Sequence, residues 1–222
     1  MKAMILAAGY GTRLKPLTDK KPKALIPYHS KPMIEHQIER LKKLNVDEII
    51  INAHHHSEMI EEYFEKNDFG LKISVLVEKE ILGTGGGILN AKDYLQDEDC
   101  FIVINVDIDT DMDIQKMIEF HKRNNPFATI AVQKRKTSRR LDVENGKRLK
   151  GKEKKNSKKK NLYAFNGIHI LSNRVFKKNY EINFRGILEI YFDLIQKKEE
   201  IIFGFDAGES SFKDIGKIKN LE

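Results

Sequence analysis

The sequence predicts an α/β fold: a doubly wound, mainly parallel (Rossmann-like) sheet. Three observations carry this. The strand-like segments are short and almost wholly apolar, as strands covered on both faces are. They alternate with segments whose apolar residues recur at helical spacing. A chain of 222 residues with 40% hydrophobic and 33% charged residues has the composition of an ordered protein with a sizeable core.

The elements follow in order. Residues 2–7 (KAMILA) are a short apolar run ending at glycine and read as a buried strand. Ile34, Ile38, Leu41 and Leu44, with charges between them, predict an amphipathic helix over 33–44. EIIIN at 48–52 is a second strand, and Ser57 is expected to cap a helix carrying Met59, Ile60, Tyr63 and Phe64. KISVLV at 72–77 is a third strand, and 83–95 reads as a Gly-rich turn entering a helix. FIVINV at 101–106, a helix around 114–121 and the strand ATIAVQ complete the first 135 residues. Beyond them LYAFNGIHIL and IIFGF are strands, GILEIYFDLIQ is a helix, and FKDIGKIKNLE returns towards the sheet. The chain reads as one domain over 1–222, in two halves, 1–135 and 136–222. Ligands of such sheets bind at the carboxyl ends of the strands.

Composition narrows the function classes. No apolar run nears the roughly 20 residues that span a bilayer, and the N-terminal run is too short for a signal peptide. The single cysteine, Cys100, lies in an apolar context and fits a reducing, cytoplasmic location. The net charge is +7. Residues 134–160 hold fourteen Lys/Arg and three Asp/Glu, a local +11, so the remainder carries −4. The basicity is therefore one segment, read as a solvated loop. It lacks interleaved aromatics for base stacking, and no nucleic-acid partner is expected.

The most informative stretch leaves the first strand: GYGTRLKPLTDKKPKALIP. It lacks the GxxxxGK pattern of P-loops, and Leu14 replaces the third glycine of the dinucleotide fingerprint. Gly9 and Gly11 allow close backbone approach to phosphate, while Arg13 and Lys23 supply positive charge. His54, His55 and His56 are adjacent, so one strand cannot aim all three at a metal. Asp107, Asp109, Asp111 and Asp113 alternate but lack the glycine and glutamate of a calcium loop. Asp107 alone follows the buried strand directly; the others are expected to be solvated or to cap the next helix.

The stretch MILAAGYGTRLKPLTDKKPKALIP resembles the signature of the sugar-1-phosphate nucleotidylyltransferases, GxGTRLxPLTxxxPKxLxP. LGTGGGILNA, NVDI, NGIHIL and KDIGK resemble further motifs of that family, so the likeness runs almost the length of the chain. Within it the chain looks most like the small N-acetylmuramate-1-phosphate uridylyltransferase and heptose- or mannose-1-phosphate guanylyltransferase types. The resemblance implies the nucleotide-diphospho-sugar transferase fold, with a nucleotide-binding half (1–135) and an acceptor-side half (136–222), and a magnesium-dependent reaction of a nucleoside triphosphate with a sugar 1-phosphate. Leu6, Ala7, Ala8 and Gly9 would line the nucleoside. Gly11, Thr12, Arg13 and Lys23 would hold its phosphates, with Arg13 and Lys23 catalytic. Glu78 and Gly83 would contact the base. Asp107 and Asp214 would hold magnesium. Asn166, Gly167 and Lys154 would meet the sugar phosphate. Departures include Val106 where the family often has glycine, Lys217 in place of the threonine of DIGT, and the missing proline after Glu153 and Lys154. A cytidylyltransferase acting on an alcohol phosphate and a non-catalytic nucleotide-binding homologue stand as alternatives. Base, sugar and oligomeric state are not legible.

Overall fold

The computed structural model describes residues 1–144, 147–153 and 162–221. The chain opens with β1 (Ala3–Leu6), a small hairpin of β2 (Pro27–Tyr28) and β3 (Lys31–Pro32), and α1 (Met33–Lys42). Then come β4 (Glu48–Ala53), α2 (Ser57–Lys66), β5 (Lys72–Val77), α3 (Gly83–Asn90) and α4 (Lys92–Leu95). β6 (Cys100–Asn105), β7 (Ile108–Thr110), α5 (Ile114–Asn124) and β8 (Ala128–Gln133) follow. The last elements are β9 (Arg140–Glu144), β10 (Arg148–Lys152), β11 (Leu162–Ser172), α6 (Ile187–Gln196), β12 (Ile202–Asp206) and β13 (Phe212–Asp214).

Among the described residues the main sheet has nine strands in the order β5-β4-β1-β6-β11-β8-β12-β10-β9. β5, β4, β1, β6, β8 and β12 all run the same way, while β11 is inserted antiparallel between β6 and β8. Alternate residues feed two cores. From β1, Ala3 and Ile5 face one core with α1, α2 and α5, while Met4 faces the other with α3, α4 and α6. Helices thus cover both faces, as the sequence pattern predicts.

Two predicted details change. Ser57 is the first residue of α2 and not its cap: His56, in the left-handed region at φ 54°, makes the turn and leaves no side-chain cap. The acidic run after β6 is not wholly solvated either. Its residues 108–110 form β7, which pairs antiparallel with β13 as a separate ribbon. Asp113 does cap α5, accepting from the Lys116 amide at 3.0 Å.

The basic segment departs further from a solvated loop. β9 and β10 form a hairpin whose Leu141, Val143 and Leu149 are buried. The segment has period-2 alternation, RLDVE and RLKGK, with its charges turned outward. β9 also pairs with the start of β11, so β11, β8, β12, β10 and β9 close into a ring. Gly204 sits inside it: a Cβ there would lie 3.1 Å from methyl groups of both Val132 and Val143. Residues 154–160 of the Lys-rich run lie outside the described residues.

Two buried histidines tie strands to helices: His121 meets Thr129 Oγ1 at 2.9 Å and His169 meets the Tyr191 hydroxyl at 2.6 Å. Burial pushes their pKa values down, to about 4 for His121, with Arg174 adding repulsion, and to about 3 for His169. Both are neutral bases in the native state, so below the unfolded value near pH 6.5 only the unfolded chain takes up the protons. Stability should be fully present above about pH 6.5 and fall on acidification, by about 1.4 kcal/mol per pH unit for each histidine. Glu78, whose carboxyl burial raises, acts with the opposite sign. Urea unfolding between pH 6.5 and 4.5 checks this; a His121→Gln/His169→Gln variant should show a flatter dependence than the parent.

Candidate active site

The loop after β1 is folded tightly by its glycine and its apolar residues. Gly11 has φ +64°, and a Cβ there would lie 2.7 Å from Thr18 Cγ2. Its carbonyl accepts from Leu14 N at 2.8 Å and Thr18 Oγ1 at 3.0 Å. Leu14, Ala24 and Leu25 are buried and pin two short 3-10 turns, Thr12–Leu14 and Lys23–Leu25. Arg13 and Lys23 belong to those turns, and their side chains converge on one carboxylate.

That carboxylate is Asp107, 8% exposed at the end of β6. Lys23 Nζ bonds Asp107 Oδ2, and Arg13 donates to the same oxygen at 3.0 Å. The other arm of Arg13 donates to Asp214 Oδ2 at 2.6 Å, with Lys217 Nζ at 3.4 Å. Asp214 arrives from the far end of the chain because β13 pairs with β7, Asp214 opposite Ile108. Ile215 N donates to the Asp107 carbonyl at 2.9 Å and locks the ribbon beside β6. Burial raises the Asp214 carboxyl, but Arg13, the Gly216 N–H and Lys217 outweigh it and hold its pKa below the ordinary aspartate value. Burial lowers the Arg13 pKa; Asp214 and Asp107 overcome it and raise it. Gln37 of α1, fully buried, donates to the carbonyls of Val106 and Ile108 at 3.3 and 2.7 Å and braces the residues on either side of Asp107.

Beside these charges lies a cavity of about 240 Å³, lined by Leu6, Ala7, Ala8 and Gly9, by Lys23 and Asp107, and by Asn52, Ile81, Gly83, Thr84, Asn105 and Val106. The expected nucleoside-lining segment and the expected Gly83 are therefore on one wall. Gly83, at φ +68°, and the glycines after it form the first turns of α3 and let the helix approach the segment before α6. A Cβ on Gly83 would lie 2.7 Å from the Arg185 carbonyl. Thr84 Oγ1 accepts from Ile187 N at 2.9 Å. Glu78 stands behind the wall: it is 3% exposed, and its oxygens accept from Asn52 Nδ2 at 2.6 Å and Leu82 N at 3.1 Å. Asn52 also accepts from Ala7 N at 2.9 Å. Of this pair Asn52, not Glu78, lines the cavity. Sequence reasoning passed over Asn52 and Asn105, although each is a polar residue closing a run of apolar strand residues.

On the β11 side, where the sugar phosphate is expected, Gly167 (φ +75°) lies against Asn105, where a Cβ would be 2.7 Å from Nδ2. Asn166 is 1% exposed; its Oδ1 accepts from Arg135 Nε at 3.0 Å and its Nδ2 faces Gln133 Oε1 at 3.4 Å. Lys154 lies outside the described residues. The adjacent histidines are used locally: His54 Nδ1 meets the Glu78 carbonyl at 2.8 Å and His55 Nε2 the Thr18 carbonyl at 3.1 Å. Among the described residues no group of three or more His, Cys, Asp or Glu is placed to hold a metal ion. No helix of the described residues is long and apolar enough to cross a membrane.

A glycine-rich loop and two carboxylates gathered at the ends of β1 and β6 are the features by which the chain can be compared with known proteins. Residues 2–222 match the nucleotidyl transferase model. The chain belongs to the nucleotidyl transferase family. Among curated relatives, the mannose-1-phosphate guanylyltransferase catalytic subunit beta of Dictyostelium discoideum is 39% identical over 161 residues, 69% of this chain and 45% of its own length. Mannose-1-phosphate guanylyltransferase 1 of Arabidopsis thaliana is 36% identical over 188 residues, 80% of this chain and 52% of its own. The chain thus spans about half the length of these relatives. HddC from Yersinia pseudotuberculosis, solved in complex with GMP-PN, superposes with a TM-score of 0.80 at 26% identity, covering 99% of this chain and 96% of that one. The fold is the one shared by nucleotide-diphospho-sugar transferases, as expected from the sequence.

Gly87 tests the wall of the cavity. A Cβ there would lie 2.7 Å from both Asn52 Nδ2 and Glu78 Oε1. Gly87→Ala should lower stability by about 1–3 kcal/mol and weaken nucleotide binding, because Asn52 must rotate away. Gly9 has nothing within 4 Å of its Cβ position, and Gly9→Ala should melt with the parent. Thermal unfolding and nucleotide titration of both variants provide the check.

Proposed function

We propose that the protein transfers a nucleotidyl group from a nucleoside triphosphate to a sugar 1-phosphate and releases pyrophosphate. One observation carries this reading: Arg13, Lys23, Asp107 and Asp214, spread over two hundred positions of the chain, meet in one ionic cluster whose Lys23 and Asp107 line the same cavity as Leu6–Gly9. The whole chain is taken as one unit, since the main sheet runs unbroken from the 1–135 half into the 136–222 half. A cytoplasmic location belongs to the same reading.

In the reaction an oxygen of the acceptor phosphate attacks the α-phosphorus, and the bond to the β-phosphate breaks. Both partners are anions. The acceptor oxygen is already ionised, so no protein nucleophile is needed, and positioning with charge compensation supplies the catalysis. Arg13 and Lys23 stabilise charge on the transferring phosphoryl and on departing pyrophosphate. Amides of the glycine-rich loop receive the phosphates. In this structure the two cations rest on the two carboxylates, so an incoming triphosphate has to draw them across to itself.

The residues present fit magnesium. Asp107 and Asp214 each accept from a different terminal nitrogen of one guanidinium, so they converge on a single cation. Magnesium is commonly held by one or two carboxylates with waters and substrate phosphates. When bound it would offset phosphate charge and orient the oxygens. Guanine is the base to test first: the relatives above are guanylyltransferases 36–39% identical to this chain, and HddC was solved with GMP-PN.

The test is a matrix of four nucleoside triphosphates against a panel of sugar 1-phosphates, read as pyrophosphate release with and without magnesium. Turnover requiring both substrates and the metal is expected, GTP with mannose 1-phosphate first. Turnover by CTP with phosphocholine alone would replace the sugar reading. Nucleotide binding without turnover on any acceptor would make the protein a non-catalytic relative.

In the active pair, Arg13→Ala and Lys23→Ala should each lower kcat/KM by about 10²–10³. Asp107→Asn and Asp214→Asn should cost at least as much, with the double variant little worse than either single. Additive losses for the two aspartates would show that they do not act on one ion.

A further inference from the structure

We propose that Arg135 is the acceptor-binding residue of this site, its guanidinium taking the phosphate monoester of the incoming sugar; the proposal rests on the nucleotidyl-transfer reading above. Arg135 lies two residues past the end of β8, at the same end of the sheet as Asp107. Its plane is fixed at three points. Nε donates to Asn166 Oδ1 at 3.0 Å and one terminal nitrogen donates to the Phe165 carbonyl at 3.0 Å. The guanidinium also lies over the Phe212 ring, 4.0 Å from its centre. Phe212 is two residues before Asp214 on β13, so the arginine borders the carboxylate expected to hold the metal.

Arg135, like the partly buried Arg185, has no carboxylate at ion-pair distance among the described residues; its place at the end of β8 sets it apart. Arg13 and Lys23 have carboxylate partners at close range. Arg40 has Asp109 at 3.3 Å and Arg174 has Glu200 at 3.2 Å. Arg135 is partly buried, yet its hydrogen bonds among the described residues go to a neutral amide and a backbone carbonyl. Burial lowers its pKa, and Asp214 is the acid whose field opposes that. A guanidinium carries five N–H donors. Among the described residues two of these are used and three remain, with the full charge. A rigid, half-desolvated guanidinium with free donors matches the two-point geometry of a phosphate.

Position assigns this phosphate to the acceptor. The nucleotide's phosphates belong with Gly9–Arg13 and Lys23, on the β1 side of Asp107. Arg135 belongs to the β8–β11 half and borders a second cavity of about 470 Å³ at the mouth of the closed ring. Asp206, Glu209 and Ser210 also line it, supplying groups that hydrogen-bond hydroxyls, and Phe212 offers an apolar face. That combination suits a sugar phosphate.

The experiment uses the full chain with the substrate pair that the matrix identifies. Arg135→Gln should raise the KM for the sugar 1-phosphate about 10- to 100-fold and leave the KM for the triphosphate within about twofold. Arg135→Lys, which keeps the charge but not the fork, should recover part of the loss. Inorganic phosphate, competing with the sugar phosphate, should lose affinity in parallel in Arg135→Gln. An unchanged sugar-phosphate KM in both variants overturns the proposal and leaves the reading of function standing. So does a rise of both KM values together with a lower melting temperature and no rescue by lysine, which marks a structural role. A parent silent on every sugar 1-phosphate fails the functional reading itself, and this assignment with it.

Discussion

The site depends on a ribbon of two three-residue strands. β7 and β13 pair Ile108–Thr110 with Phe212–Asp214, and without that pairing Asp214 has no reason to lie near Asp107. Two carboxylates brought this close repel one another. The arrangement holds because Arg13 spans them and Lys23 adds a second positive charge. The dependence is mutual: removing one member of this ionic set leaves the others uncompensated, at a cost that water reduces on the Arg13 side, where the side chain is 50% exposed. Gln37 and the Ile215 N–H brace the same residues from the helix side and the chain end, so the geometry is set by backbone contacts before any ligand arrives.

Much of the fold was legible because burial on both faces leaves a plain mark on a strand. KISVLV and ATIAVQ coincide with β5 and β8 to the residue, and α6 starts one residue inside its expected span. What escaped has physical reasons. In β9 and β10 the inward Leu141, Val143 and Leu149 are outnumbered by outward charges, so net charge hid a period-2 pattern. β7 and β13 are too short to show any period, and their partners lie about a hundred residues apart. Ser57 looked like a cap because its type suits one, but a left-handed residue before it had already made the turn.

The candidate site was readable in part through the family resemblance and in part through chemistry. The loop glycines, Arg13, Lys23, Asp107 and Asp214 were named from the sequence, and the structure brings them to one place. The sequence does not reveal that Glu78 is buried against Asn52, which itself lines the cavity, since a buried carboxylate and a ligand-facing one look alike in one dimension. Nor does it separate Arg135 from the thirteen other cations of its segment. Only the positions of Asn166, Phe165 and Phe212 do that.

The ring formed by β11, β8, β12, β10 and β9 has a bearing on how the molecule meets others like it. An open sheet ends in two strands with unpaired amides and carbonyls, and each is a template for a further strand. Here one end is sealed, because β9 turns back onto β11. Strand-by-strand growth of the main sheet therefore has β5 as its remaining starting point among the described residues. Lys72 stands at the head of that strand with its amine on Glu48, and Lys79 and Glu80 follow its end. Among the described residues the main sheet, with its many buried β-branched residues, thus keeps one charge-flanked border open to self-assembly.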